Sequence, residues 1–180
     1  EAVRQVLRES GAVCDKPMTL MRRVTIDTPG MKQKKAFLRV RDEGDKVTMT
    51  YKQFNELSVD GAMEYEVVVD DFDETVALLS ASGLEYGSFQ ESKREIWHLD
   101  GAEIMIDEWP WLKPYIEVES HSEAHVREIA ARLGFDWNEA AFGGVMAAYR
   151  KQYPHLNMQD TVGDVPLVRF EDPLPSLLVA

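Results

Sequence analysis

AFLRVRDEGDKVTMTYK, Ala36 to Lys52, is the stretch whose reading decides the fold. Phe37 to Arg41 alternates polar and apolar side chains, Asp42-Glu-Gly-Asp45 supplies turn chemistry, and Val47 to Lys52 alternates again, which predicts a β-hairpin. Side chains on a strand repeat every two residues. Arg39 and Arg41 therefore share one face and Leu38 and Val40 the other. On the return strand Thr48, Thr50 and Lys52 fall on one face, with Val47, Met49 and Tyr51 opposite. Three cations converge on one side of a hairpin whose other side is apolar.

Working outward, the same alternation recurs with carboxylates in place of cations. Ala62 to Asp70 sets Glu64 and Glu66 against Tyr65, Val67 and Val69. Glu91 to Leu99 sets Arg94 against Trp97 and Leu99, and Asp100-Gly101 turns the chain into Ala102 to Glu108. There Ile104 and Ile106 oppose Glu103 and Asp107. Tyr115 to Ser120 sets Ile116 and Val118 against Glu117 and Glu119. With Arg22 to Asp27, ended by Thr28-Pro-Gly, seven strands are expected, near 22–27, 36–42, 46–53, 62–70, 90–99, 102–108 and 114–120.

Four helices are expected to cover them. Ala2 to Ser10 is stopped by Gly11, and Asp71 to Leu79 carries a Phe72, Val76, Leu79 stripe. Ser122 to Leu133 is capped by Ser122 and stopped by Gly134, and Trp137 to Tyr153 is stopped by Pro154. A loop is expected over Asn55 to Gly61, and Trp109-Pro-Trp-Leu-Lys-Pro114 is a rigid aromatic loop whose Trp109 and Trp111 either stack on a base or thiazole-type ring or, the preferred reading, pack a barrel mouth. The expected organisation is one domain over residues 1–154 and a C-terminal extension over 155–180, either partly ordered or the contact of a homodimer.

Composition narrows the partners. A net charge of −12 argues against nucleic-acid and anionic-membrane binding, because phosphate backbones are held by basic surfaces. An anion site must be a local concentration of Arg and Lys on an acidic background. The single cysteine, Cys14, forms no internal disulfide, in keeping with a reducing cytoplasm. No apolar run reaches the roughly 18 residues of a membrane span. The chain opens on Glu1 rather than Met and inside a helix, so a segment is expected before it.

Charged pairs two residues apart (Arg-x-Arg, Glu-x-Glu, Glu-x-Glu) aim each pair into one space, and the apolar faces call for helices. The expected fold is therefore α+β, an antiparallel eight-stranded closed barrel with a charged lumen and helices outside, its first strand absent from these 180 residues. Charges of both signs in a confined space are costly unless paired with each other or with a ligand. Clustered Arg and Lys match phosphate oxygens, and carboxylates suit Mg²⁺ or Mn²⁺, hard ions that bridge to phosphates. The expected ligand is a polyphosphate with its metal.

The segments LRVR (38–41), TYK (50–52), EYEVVVDDF (64–72), SKREIW (92–97) and IMIDEW with YIEVES (104–120) resemble the CYTH superfamily of triphosphate tunnel enzymes, as does TIDTPG (25–30). That superfamily includes class IV adenylate cyclases, thiamine triphosphatases and inorganic triphosphatases. The resemblance implies a triphosphate gripped by Arg39, Arg41, Lys52 and Arg94. It also implies Mg²⁺ or Mn²⁺ held by some of Glu64, Glu66, Asp107, Glu117 and Glu119. The family's first strand, Glu-x-Glu-x-Lys, does not occur here. Either it precedes Glu1 and function follows the family, or it is lost, and metal binding and catalysis are in doubt.

With water as nucleophile the chain is a triphosphatase, the favoured reading. With a ribose 3′-hydroxyl it is a class IV-like adenylate cyclase making cyclic AMP and pyrophosphate. Without turnover it is a polyphosphate- or nucleotide-binding module. No residue is assigned as catalytic acid or base: His98 shares the face of Arg94 by parity but is read as structural, and His121, His125 and His155 as surface residues.

Overall fold

The computed structural model describes residues 1–54 and 62–179. The loop expected over Asn55 to Gly61 lies outside them. The elements run α1 (Ala2–Glu9), β1 (Val13–Ile26), α2 (Pro29–Gln33), β2 (Ala36–Asp42), β3 (Val47–Phe54), β4 (Ala62–Val69), α3 (Phe72–Ala81), β5 (Ser88–Leu99), β6 (Ala102–Glu108), β7 (Tyr115–Glu119), α4 (Glu123–Arg132), α5 (Val145–Gln152) and β8 (Leu167–Val168). All seven expected strands form. The first reaches back to Val13, well before its expected start at Arg22.

The hydrogen-bonded order is β4-β3-β2-β1-β5-β6-β7, with β8 pairing β5 off that path. This overturns the closed barrel expected from the sequence. The α+β class and the antiparallel main ladder stand, but β4 and β7 end the path and do not pair with each other. Closure needs a strand that joins the two ends. The eighth strand instead comes from the tail, is two residues long and lies parallel on Phe89 and Gln90.

The chain divides into two compact units. The hairpin unit comprises Leu20–Ser92 and Met158–Val179, and the aromatic-loop unit is built on Glu1–Thr19 and Lys93–Asn157. In the hairpin unit, Asp42 Oδ1 accepts from Gly44 N at 2.8 Å, and Gly44 takes φ +88°, the left-handed conformation this turn requires. Val24, Ile26, Val40, Phe72 and Leu79 form its core, with Leu38, Val47, Met49 and Val76 packed around them. Helix α3 brings Phe72 and Leu79, and its Asp71 cap accepts from Glu74 N at 2.8 Å. Tyr65 and Val67, expected among the covered apolar residues, are 65% and 52% exposed. Strand β4 is the outermost strand, and in this unit helix packing centres on β1 and β2.

In the aromatic-loop unit, Leu7 of α1 and Ile129 and Leu133 of α4 cover Trp97, Leu99, Ile104 and Ile106, with Ile116 and Val118 alongside. Ser122 caps α4 as expected, accepting from His125 N, and Gly134 follows its end at φ +76°. The single helix expected over Trp137 to Tyr153 is interrupted. A 3₁₀ turn at Trp137–Glu139 and α5 are separated by Gly143 at φ +119° and Gly144. Two consecutive glycines favour that break. Trp109 is buried, and the carbonyl of Trp111 accepts from Gln152 and from the Tyr153 hydroxyl at 2.7 and 2.6 Å, so α5 clamps the loop. Among the described residues no helix is long and apolar enough to cross a membrane.

Candidate functional site

Register fixes the polar face of the hairpin unit. Arg39 lies opposite Thr50, Arg41 opposite Thr48 and Phe37 opposite Lys52. On the next strand Thr50 faces Glu66 and Lys52 faces Glu64. On the other side β1 places Arg23 beside Arg41 and Thr25 beside Arg39. Because Val40 is fully buried in the apolar cluster, the parity assigned to Arg39 and Arg41 holds.

The charges on this face are unevenly matched. Lys52 Nζ pairs with Glu64 at 3.4 Å, and Thr50 Oγ1 donates to Glu66 at 2.8 Å. Glu43, at the turn, is buried, ion-paired with Arg41 and 3.6 Å from Lys46 Nζ. Yet among the described residues the Nε atoms of both Arg39 and Arg41 are buried without a hydrogen-bond acceptor, and Thr48 Oγ1 is likewise buried without a partner. Burial, then the charge of Arg41, push the Arg39 guanidinium below the ordinary arginine range, while Glu64, Glu66 and Glu43 pull the other way. A guanidinium stays protonated in a protein, so this is a cation held where it is poorly solvated. Such a face is chemically suited to an oxyanion.

The aromatic-loop unit carries the other set, and here the charges saturate one another. Arg94 Nε donates to Asp107 Oδ1 at 2.7 Å, and Nη2 donates to Asp107 Oδ2 at 2.5 Å and to Glu117 Oε2 at 2.8 Å. Asp107 is 1% exposed. Burial works to lower the pKa of Arg94, but the hydrogen bond and charge of Asp107 and the charge of Glu117 outweigh it and hold the pKa above the ordinary range. Glu117 moves the other way for an acid: burial and the charge of Asp107 raise its pKa despite Arg94. Glu119, two residues along β7, is exposed and lies opposite Glu103. His98 Nε2 is 3.7 Å from Asp15, an exposed contact.

The structure thus gathers Arg39, Arg41, Lys52, Glu64 and Glu66 on one ladder, and Arg94, Asp107 and Glu117 in one cluster. Three residues of the hairpin face were not singled out in the sequence: Arg23, Glu43 and Gln90, whose Oε1 accepts from Arg23 Nε at 2.9 Å. Arg23 had a signal, since it alternates with Val24 and shares the parity of Thr25. Gln90 and Glu43 had none, because their roles depend on long-range pairing and on a turn.

Among the described residues no group of three or more His, Cys, Asp and Glu side chains is arranged to hold a metal. The donor chemistry is of the kind a hard divalent ion takes, because buried Asp107 and half-buried Glu117 are carboxylates sharing one guanidinium.

Solved structures share the fold. A protein of Pyrococcus horikoshii matches at 18% identity over 76% of this chain and 85% of that one, with a TM-score of 0.61. A candidate adenylate cyclase from Vibrio parahaemolyticus matches at 12% identity over 81% and 89%, with a TM-score of 0.65. A Hippeastrum candidate adenylyl cyclase, described as having a dominant triphosphatase activity, matches at 18% identity over 80% and 89%, with a TM-score of 0.51. No curated protein matches the sequence. The family model of the CYTH domain matches residues 24–139, which holds the hairpin, both Glu-x-Glu strands and Arg94, and the chain belongs to the CYTH family.

Proposed function

We propose that this CYTH protein is a metal-dependent triphosphatase, acting on an organic or inorganic triphosphate through the cations of the hairpin face. The observation that carries the reading is the pair of buried Nε atoms on Arg39 and Arg41, neither with an acceptor. A buried donor left unmade costs about 1–3 kcal/mol, more when charged, so two of them on one face are retained at the expense of stability. A polyphosphate would supply the missing acceptors. Arg39 and Arg41 would hold phosphoryl oxygens through forked hydrogen bonds, Lys52 would add a point charge, and Arg94 is the cation of the aromatic-loop unit.

Asp107, Glu117 and Glu119, and on the hairpin face Glu64 and Glu66, are the carboxylates that would hold Mg²⁺ or Mn²⁺. Bound metal would neutralise charge on the phosphates and lower the barrier to attack on phosphorus. The residues themselves contribute positioning and charge complementarity, which are most of what phosphoryl transfer asks of a protein. The same grip serves hydrolysis and cyclisation, and hydrolysis, which asks for the grip and a water alone, is the reading proposed over attack by a ribose 3′-hydroxyl.

Titration calorimetry with tripolyphosphate, with and without Mg²⁺ or Mn²⁺, tests the binding. We expect micromolar or tighter binding that strengthens with metal. Measuring phosphate against pyrophosphate release from ATP, thiamine triphosphate and tripolyphosphate tests the reaction. Pyrophosphate and cyclic AMP from ATP would overturn the triphosphatase reading in favour of a cyclase. Binding without turnover of any of the three would leave a polyphosphate-binding module.

A further inference from the structure

Arg23 shares the polar face of the hairpin unit by alternation, yet none of the resembling segments contains it. It lies directly across the β1–β2 ladder from Arg41. Like charges opposite one another on neighbouring strands destabilise a sheet, so this placement calls for a reason. The side chain is also held in place. Its Nε donates to Gln90 Oε1 at 2.9 Å, Gln90 Nε2 donates to Ser88 Oγ at 3.1 Å, and Ser88 Oγ donates to the carbonyl of Val165 at 2.6 Å. Gln90 and Ser88 are both buried. The relay therefore begins in the C-terminal tail, where β8 lies parallel to Phe89 and Gln90 and Phe89 N donates to the carbonyl of Pro166 at 2.9 Å. Gln90 is a neutral amide, so this contact orients the guanidinium.

We propose that Arg23 is a further phosphate-contacting residue of the hairpin face, oriented by Gln90, Ser88 and the tail carbonyl of Val165, and that it selects longer phosphate chains over shorter ones. The proposal rests on the triphosphate reading of that face. Along β2, Arg39 and Arg41 are two residues apart, roughly 7 Å, and Arg23 continues the row one strand further from Thr48. An anion that engages Arg39, Arg41 and Arg23 together needs more phosphoryl groups than one that ends at Arg41. Gln90 and Ser88 act through Arg23 and are positioning residues.

The test compares tripolyphosphate and pyrophosphate affinities by calorimetry for the full chain and for Arg41→Ala, Arg23→Ala, Arg23→Lys, Gln90→Leu and Ser88→Ala. Arg41→Ala should weaken both anions. Arg23→Ala should weaken tripolyphosphate about tenfold and pyrophosphate less than about threefold, the loss of one charged, forked contact. Arg23→Lys should recover part of that loss. Gln90→Leu should reproduce the selectivity change in smaller degree, and Ser88→Ala serves if Gln90→Leu fails to fold. A loss of discrimination between chain lengths is a readout that a merely structural role would not move. Unchanged tripolyphosphate binding in Arg23→Ala, with Arg41→Ala weakened, overturns this inference and leaves the triphosphate reading standing. Equal losses for both anions in Arg23→Ala overturn the selectivity. A wild-type chain that binds neither anion overturns both.

Discussion

The hairpin unit and the aromatic-loop unit use arginine in opposite ways. Arg94 makes three hydrogen bonds to two carboxylates, whereas the Nε atoms of Arg39 and Arg41 are buried with no acceptor. Both arrangements arise from the same alternation on neighbouring strands. The difference lies in what stands across the ladder: Arg94 faces Asp107, while Arg39 and Arg41 face Thr50 and Thr48. A threonine opposite an arginine fills space without neutralising it. One unit therefore holds a closed ion-pair cluster, and the other holds two arginines whose buried Nε donors are unmet although Arg41 pairs with Glu43.

The contrast breaks most visibly at Asp107. Asp107→Ala removes two of the three hydrogen bonds to Arg94 and leaves a largely buried guanidinium with Glu117 alone. We expect a loss of about 3 kcal/mol, the order found when one partner of a buried pair is removed. Chemical denaturation at neutral pH reads it. A loss below half of that would mean Glu117 compensates and the cluster is not closed.

The next effect is on binding. Arg41→Ala should weaken tripolyphosphate by about 1.5–3 kcal/mol, the order of a hydrogen bond to a charged group. The same variant should barely weaken the protein itself beyond its Glu43 contact. If Arg41→Ala instead unfolds the chain and spares affinity, the roles of the two units are reversed.

Arg39→Met sharpens the comparison further. Replacing a buried cation whose Nε has no acceptor by an apolar side chain is often neutral or stabilising. We expect the ligand-free variant to gain up to about 1 kcal/mol in a denaturant titration while losing tripolyphosphate binding. A destabilised Arg39→Met would show that Glu64, Glu66 and Glu43 already supply the charge this residue needs.

Much of this was legible in the sequence, and the part that was not has a physical cause. Alternation alone places Arg39, Arg41, Glu117 and Asp107 on polar faces, because a two-residue period needs only local information. The helix cap at Ser122 was legible for the same reason: a cap is read within one turn. Closure was not legible. Counting strands says how many exist, whereas a barrel depends on which strand bridges the two ends. Among the described residues the one strand beyond the expected seven, Leu167–Val168, pairs with β5 rather than between β4 and β7. Nor was the state of each charge legible, since parity puts Arg94 and Arg41 on equivalent faces and only register gives one a carboxylate opposite and the other a hydroxyl.

The smallest effect concerns Glu117. Burial and the neighbouring Asp107 raise its pKa above that of an ordinary glutamate, so the folded state binds its proton more tightly than the unfolded chain does. The stabilising contribution is then fully present below the unfolded carboxylate pKa, about 4.3, and is lost as pH rises through the folded value. At neutral pH the metal-free protein carries this penalty undiminished. Glu117→Gln removes it, because the amide is neutral at every pH and its oxygen still accepts from Arg94. The melting temperature of the metal-free variant should exceed that of wild type by about 1–3 °C at neutral pH. The gap should close as pH falls below the ordinary glutamate range. Other carboxylates titrate over the same interval, so the difference between the two proteins, and not either curve alone, carries the result. A gap that is constant with pH would assign the gain to packing, and a variant less stable than wild type at neutral pH would show that the Arg94 ion pair outweighs the repulsion from Asp107.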